Sequence, residues 1–186
     1  DRRLVLFVSQ RVTDQRKGMD YFVEAVARMA EEHPEMKEHT GIAILGGHAE
    51  ELEGRLALPV FPIGYVSDQQ RIRDVYNAAD VFVLPSLEDN LPNTIMEAMA
   101  CGVPCVGFRV GGIPEMIDHR RNGYVAAERD ARDLAEGIRW VLDEADYAAL
   151  SEAAVAKVLH SYSQRSVAMQ YLEVYNEAMA YKNFCL

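Results

Sequence analysis

Short apolar segments alternate with segments whose apolar residues recur at helical spacing. The apolar runs are 4–8, 42–45, 81–84 and 103–106, and another strand-like run precedes Gly64. Strands that are apolar on both faces belong to a parallel sheet covered by helices. The helical stripes between them consist of Met19, Phe22, Val23, Val26 and Met29 and, more briefly, of Ile72, Val75 and Tyr76. The alternation predicts an α/β fold, a Rossmann-like open parallel sheet flanked by helices, with ligands bound beyond the carboxyl ends of the strands.

The pattern changes at Asp130, where the strand-like runs stop. One helix is marked by Leu134, Ile138, Val141 and Leu142, and the last by Val167, Tyr171, Val174, Tyr175 and Ala178. No internal repeat, low-complexity segment or Gly/Ser-rich linker interrupts the chain. We therefore treat residues 1–186 as one domain that ends in helices.

Composition and charge narrow the class of protein. The 186 residues are 49% hydrophobic and 26% charged, which is typical of a globular domain able to bury a core. A net charge of −10 disfavours nucleic acid and anionic lipid as partners. The apolar runs fall far below the ~20 residues of a transmembrane helix. The chain opens on Asp1 without an initiator Met, so we expect a piece of a longer protein.

The cysteines and histidines lack the spacing of a disulfide framework or a metal site. Cys101, Cys105 and Cys185 form an odd set without paired spacing, and the 5 histidines are scattered. We expect reduced thiols in a cytoplasmic protein, and no metal ligand.

A basic loop follows the first predicted strand. Residues 9–18 contain Arg11, Arg16 and Lys17 against the single acid Asp14, so three cations and one acid give a local net charge of +2. Arginine offers a planar fork and lysine a point charge, and both bind phosphate. The loop is therefore either a phosphate site at the edge of the sheet or a solvated loop without a ligand.

Glu97 is the one charged residue in the segment NTIMEAMACGVPCV at 93–106. Thr94 and Glu97 have the spacing of a capping box, which gives the carboxylate a structural explanation. However, Pro92 suits the first helical position, which would place the cap near Leu91 and Thr94 inside the helix. The functional alternative is a carboxylate that accepts hydrogen bonds from sugar hydroxyls.

The loop 88–92 leads from a strand into this helix. Free N–H groups and the positive end of the dipole at a helix start can hold a diphosphate. Pro92 has no N–H, so Asn93 and Thr94 are the expected backbone donors. Gly111-Gly112, like Gly46-Gly47, permits either close approach to a ligand or an ordinary tight turn.

These segments together resemble the C-terminal domain of the family 4 glycosyltransferases, which have the GT-B fold. The resemblance covers nearly the whole chain, and its most specific element is the family's pair of acids separated by seven residues, here Asp89 and Glu97. The other matching segments are Arg11 with Lys17-Gly18, the block PSLEDNLPNTIMEAMACGVP at 85–104 and the block GGIPE at 111–115.

The chain departs from the family's pattern at three places. Asp89 stands where Glu is usual, Gln10 stands where Gly usually precedes the arginine, and Gly47-His48 replaces a common Asp-Gly. These departures bear on the role of Asp89 and on donor preference.

The resemblance implies a role for each site residue. Arg11 and Lys17 would bind the donor diphosphate, Glu97 the nucleoside ribose and Asp89 the transferred sugar. The rest of the donor site would consist of Gly64, Tyr65 and Val66, which would face the base, and of Asn90, Leu91, Asn93 and Thr94. The two cations and the helix donors would stabilise the leaving diphosphate without a metal or other cofactor. The expected donor is a UDP-sugar first and a GDP-sugar second.

The resemblance also implies a partner domain. Members of the family transfer sugars with retention of configuration, and their acceptor site lies in an N-terminal domain that is absent from this sequence. The helix at 163–182 resembles the segment that crosses back to that domain, so we expect an exposed apolar face, a tendency to self-associate and little activity of this chain alone. The expected setting is polysaccharide biosynthesis in the cytoplasm, with peripheral contact at the inner face of the membrane left open for the parent. The alternatives are a sugar-nucleotide epimerase or phosphorylase of similar fold, or a binding module that senses nucleotide sugars.

Overall fold

A six-stranded sheet forms the centre of the computed structural model, which describes residues 2–11, 14–52 and 54–184 with all side chains except those of residue 11 and residues 181–184. The strand order is β3-β2-β1-β4-β5-β6, and every neighbouring pair is parallel. The strands are β1 (Arg3–Arg11), β2 (Thr40–Gly47), β3 (Val60–Gly64), β4 (Val81–Leu84), β5 (Cys105–Phe108) and β6 (Gly123–Ala126). The predicted α/β class, with its open parallel sheet, is confirmed.

Eight α-helices surround the sheet in the described part of the chain. They are α1 (Met19–Glu32), α2 (Met36–His39), α3 (Gln69–Asn77), α4 (Asn93–Ala100), α5 (Ile113–Met116), α6 (Ala131–Arg139), α7 (Tyr147–Ser161) and α8 (Gln164–Phe184). Two 3₁₀ turns, Gln15–Lys17 and Ala49–Leu52, follow β1 and β2. None of the described helices is both long and apolar enough to cross a bilayer.

The helices form two layers because the strand order reverses direction. From β1 the chain adds β2 and β3 toward one edge of the sheet, and from β4 it adds β5 and β6 toward the other edge. Because each crossover is right-handed, α1 and α4 lie on opposite faces of the sheet. Helix α6 packs beside α1, and α7 packs beside α4. The strands β2, β4, β5 and β6 are buried along almost their whole length, as expected for a sheet covered on both faces.

Four details differ from the sequence prediction. The run at 103–106 becomes a strand only from Cys105, and it follows a turn after α4 in which Gly102 has a positive φ of 74°. The helix predicted through Leu142 stops as an α-helix at Arg139 and continues as a π turn over Trp140–Glu144. Strand β6 and helix α7 were not predicted.

Candidate functional site

The loops that follow β1 and β4 meet where the strand order reverses. In an open α/β sheet this switch point is where a crevice forms outside the carboxyl ends of the strands. The backbone N–H of Leu87 donates to the carbonyl of Arg16 at 2.8 Å, which ties the two loops together. Gly18 has a φ of 67°, and a Cβ there would collide with the carbonyl oxygen of Pro85. The close approach of the two loops therefore requires glycine at this position.

An ion pair joins the same two loops. The Nζ of Lys17 lies 2.9 Å from Oδ2 of Asp89, and the two side chains are 32% and 17% exposed. Lys17 ends a 3₁₀ turn whose first N–H groups are capped by Asp14, which accepts from the backbone N–H of Arg16 at 3.0 Å. An ammonium carries three N–H groups. Its bond to Asp89 orients the lysine and leaves it able to donate to a second anionic group.

Gly111 and Gly112 support the loop that carries Asp89. A Cβ at Gly111 would collide with the carbonyl oxygen of Asp89, and one at Gly112 with that of Asn90. Gly111 also has a positive φ of 49°. The glycine pair predicted as either a ligand-binding loop or a tight turn therefore packs against the backbone of the acidic loop and fixes the position of Asp89.

Glu97 is not part of a capping box. Pro92 is the N-cap of α4 with an extended ψ of 117°, no side-chain cap bond is found there, and Asn93 is the first helical residue. The prediction that Pro92 begins the helix, with the cap near Leu91, is therefore wrong by one position. Thr94 is the second residue of the helix, so the Thr94-to-Glu97 spacing does not span a cap.

The Glu97 carboxylate has a side-chain partner from another helix. The hydroxyl of Tyr76, on α3, donates to Oε2 of Glu97 at 2.9 Å. Burial, and then the neighbouring Glu97 carboxylate, raise the pKa of Tyr76 far above its ordinary value, so this hydroxyl stays protonated. Sequence reasoning placed Tyr76 in the apolar stripe of its helix. The available signal was a hydroxyl within that stripe, but its partner lies 21 positions away along the chain.

Two adjoining clefts run along the carboxyl edge of the sheet. The first has a volume of about 610 Å³ and contains Lys17 and Thr94 in its wall. The second, of about 440 Å³, contains Glu97 and Val66. Tyr65 is 77% exposed and lines both clefts together with residues 8–10. One continuous surface thus carries a cation in one part, a carboxylate in another and an aromatic ring at the junction.

The structure brings together some of the predicted site residues and separates others. Lys17 and Asp89 are in contact, and Lys17 shares a cleft with Thr94 and Tyr65. Gly64 ends β3 with a φ of 75° and directly precedes Tyr65 in the sequence. The exposed residues Asn90, Leu91 and Asn93 lie in the loop and first turn above this edge, outside the lining of the two clefts.

The structure describes the side chain of Arg16 but only the backbone of Arg11, the other arginine of the basic loop. The backbone of Arg11 ends β1 opposite Gly47, and its side chain lies outside the described residues. Arg16 is bound by Asp14, with a guanidinium-to-carboxylate distance of 3.0 Å. Its hydrogen bonds lower the pKa of Asp14, which therefore stays ionised as the partner of Arg16. Arg16 is thus held by its own loop.

A third cleft lies between α1 and α6, away from this edge. It has a volume of about 400 Å³ and is lined mainly by charged side chains, including Arg28, Glu136 and Arg139. Arg28 pairs with Glu24 at 2.9 Å, and Arg139 pairs with Glu136 at 3.0 Å. These charges are balanced by neighbours, so the switch-point clefts are the stronger candidate. Among the described residues no group of three or more His, Cys, Asp or Glu is placed to hold a metal ion.

Comparisons with known proteins agree on one family. The sequence model described as glycosyl transferases, group 1, matches residues 2–144. D-inositol 3-phosphate glycosyltransferase 2 of Catenulispora acidiphila is 32% identical over 158 residues, which cover 77% of this chain and 36% of that protein. An uncharacterized glycosyltransferase of Methanocaldococcus jannaschii is 30% identical over 182 residues, which cover 96% of this chain and 46% of that protein.

Solved structures share the fold. The crystal structure of Anabaena HepE in complex with UDP-glucose superposes with a TM-score of 0.76 at 21% identity, covering 95% of this chain and 49% of that one. The chain therefore spans less than half the length of each of these three proteins.

Proposed function

This chain belongs to the group 1 glycosyl transferases, and we propose that it forms the nucleotide-sugar-binding half of such an enzyme. The observation that carries the proposal is the surface at the switch point, where Lys17, Tyr65 and Glu97 line two adjoining clefts. A nucleoside diphosphate needs a cation for its phosphates, a surface for its base and an acceptor for its ribose hydroxyls. The clefts offer one group of each kind.

The diphosphate is assigned to the Lys17 end of the surface. Lys17 supplies a positive charge that Asp89 orients, and the first turn of α4 supplies backbone donors at Asn93 and Thr94. Arg11 adds a second cation according to the family resemblance. As the bond to the sugar breaks, negative charge grows on the distal phosphate, and these fixed donors stabilise it. We propose that no metal is required.

The nucleoside is assigned to the Glu97 end. Glu97 accepts hydrogen bonds from the ribose hydroxyls, and the loop through Gly64, Tyr65 and Val66 faces the base. The exposed ring of Tyr65 supports this assignment, because an aromatic ring offers a stacking surface to any base. UDP is the first choice of nucleotide, supported by the UDP-glucose complex of a protein with this fold, and GDP is the second.

The transferred sugar is assigned to Asp89 and the adjacent residues Asn90 and Leu91. The 2.9 Å ion pair holds this carboxylate beside Lys17, the cation assigned to the phosphates. The sugar attached to the distal phosphate would lie there. Aspartate is one methylene shorter than the glutamate usual in the family, and the supporting glycines fix its backbone. We propose transfer with retention of configuration, as the family resemblance implies.

The remainder of the parent chain is proposed to supply the acceptor site. Helix α8 carries exposed apolar side chains whose spacing of three and four residues puts Leu172, Tyr175 and Met179 on one face. We propose that this face packs against the N-terminal domain, and that it drives self-association when it is left uncovered. The unpaired thiols of Cys101 and Cys105 support a reducing, cytoplasmic setting.

Calorimetric titration of this chain with UDP, GDP and ADP tests the proposal. The expected result is saturable binding of one nucleotide, weakened about tenfold or more by Lys17→Ala and by Glu97→Ala, because a hydrogen bond to a charged group contributes about 1.5–3 kcal/mol. Arg28→Ala, in the cleft between α1 and α6, is the matched control and leaves the affinity unchanged. Equal binding by all four proteins would contradict the assignment. Turnover by the full-length parent distinguishes an enzyme from a binding module.

A further inference from the structure

Tyr76 lines the same cleft as Glu97, the cleft assigned to the ribose. We infer that Tyr76 is a positioning residue whose hydroxyl fixes the Glu97 carboxylate for recognition of a ribose diol, so that the site selects ribonucleotides over their 2′,3′-dideoxy counterparts. The inference rests on the proposed function, because it concerns the same cleft. Its basis is the 2.9 Å hydrogen bond from the Tyr76 hydroxyl to Oε2 of Glu97.

The tyrosine is itself held rigidly. Its side chain is 1% exposed, and its ring packs edge-on against Phe82 of the central strand β4, with 6.0 Å between ring centroids. Moving the hydroxyl away from its present position would therefore require repacking of the ring. Glu97, in contrast, is an exposed residue on the surface of α4. Without the hydroxyl, its side chain would sample several rotamers.

The direction of the hydrogen bond determines what Glu97 can do. The raised pKa of Tyr76 keeps the phenol protonated, so the tyrosine donates and the carboxylate accepts. An ionised carboxylate has about four acceptor sites and no donor. With one site used by Tyr76, the others remain for ligand hydroxyls, and a vicinal diol can donate to both oxygens of one carboxylate. The pair thus matches the 2′- and 3′-hydroxyls of a ribose.

A double-mutant cycle tests the inference through nucleotide affinity. The variants are Tyr76→Phe, Glu97→Ala and the double variant, and the probes are whichever of UDP, GDP and ADP the wild-type chain binds and the 2′,3′-dideoxy analogue of that nucleotide. Tyr76→Phe should raise the Kd for the ribonucleotide about two- to tenfold, the effect of releasing one immobilised side chain. It should leave the Kd for the dideoxy analogue unchanged and add nothing to Glu97→Ala.

Tyr124→Phe is the matched control. The hydroxyl of Tyr124 also donates to a carboxylate, Oδ1 of Asp133 at 2.7 Å, but Tyr124 lies on β6 at the far edge of the sheet. Thermal unfolding of each variant accompanies the titrations, and Tyr124→Phe should bind both probes as the wild type does.

Each other outcome has a distinct meaning. If Tyr76→Phe weakens the ribonucleotide and the dideoxy analogue equally, or weakens binding further in the Glu97→Ala background, Tyr76 acts through the fold and the inference is wrong. Unchanged binding of the ribonucleotide by Tyr76→Phe overturns it as well. A wild-type chain that binds none of the three nucleotides would overturn the proposed function itself, and the inference with it.

Discussion

Replacing Lys17 by Met removes the ammonium from the pair that joins the β1 and β4 loops and leaves Asp89 without that partner. The carboxylate is 17% exposed, so little of its lost interaction can be recovered from water. Methionine keeps most of the aliphatic stem of lysine, so the change acts mainly on charge. The variant therefore isolates the contribution of the ion pair to stability.

The expected size lies between two limits. Exposed ion pairs contribute about 0.2–1 kcal/mol, whereas removing one partner of a fully buried pair costs about 3–5 kcal/mol. With side chains 32% and 17% exposed, the Lys17–Asp89 pair is intermediate. We expect Lys17→Met to lower the free energy of unfolding by about 1–2 kcal/mol. For a domain of this size that corresponds to a fall in Tm of roughly 4 °C.

Urea unfolding of a double-mutant cycle checks this value. Lys17→Met, Asp89→Asn and the double variant should give a coupling energy of about 1 kcal/mol, because each single change removes the same interaction. Arg28→Met is the control, since its pair with Glu24 is exposed and should contribute no more than about 0.5 kcal/mol. Additive effects of the two single changes, within about 0.3–0.5 kcal/mol, would show that the ion pair does not stabilise the fold by this amount.

Three further predictions concern backbone, thiol and pH. Gly111→Ala should lower the free energy of unfolding in urea by more than about 2 kcal/mol, because the added Cβ collides with the carbonyl of Asp89. Gly54→Ala is the comparison: a Cβ there has no atom within 4 Å, so only the positive φ of 80° should cost stability, about 1 kcal/mol. Burial raises the pKa of the Cys105 thiol, so mass spectrometry after iodoacetamide treatment should find this thiol labelled only in the unfolded chain. Partial burial lowers the pKa of His119 below its ordinary value of about 6.5, so folding favours the neutral ring. The contribution of the neutral His119 ring to the free energy of unfolding is therefore fully present above about pH 6.5 and is lost as the pH falls below that value. His119→Asn should reduce the difference between the urea midpoints measured at high and at low pH.

The sequence predicted those parts of the fold where burial leaves a clear pattern. Strands β1, β2 and β4 are apolar on both faces, and their runs could be read directly. Strand β6 has only four residues, two of them Gly123 and Ala126, so it carries little hydrophobic signal. Helix α7 is rich in alanine, and only Leu150 and Ala154 are buried, so it shows no apolar stripe. Short or alanine-rich elements cannot be predicted from the hydrophobic pattern, because tertiary packing determines where they form.

Part of the candidate site could likewise be predicted from the sequence, and part could not. Glu97 was found from sequence because it is a lone carboxylate among apolar residues, and Lys17 because it lies in a basic loop. Their partners, Tyr76 and Asp89, come from other elements, so the hydrogen bond and the ion pair depend on the chain's topology. The support of Asp89 by Gly111 likewise requires the packing of two distant loops.

A map of amide chemical shifts during titration of the chain with UDP and, in parallel, with GDP locates the nucleotide site. It shows which of the clefts in the structure takes the nucleotide. If the switch-point clefts hold the nucleotide, UDP or GDP shifts the amide signals of Lys17, Tyr65, Thr94 and Glu97 most. The amide signals of Arg28 and Glu136, in the cleft between α1 and α6, then do not shift. Shifts centred on Arg28 and Glu136, or no shift with either nucleotide, would contradict the assignment of the nucleotide to the switch-point clefts.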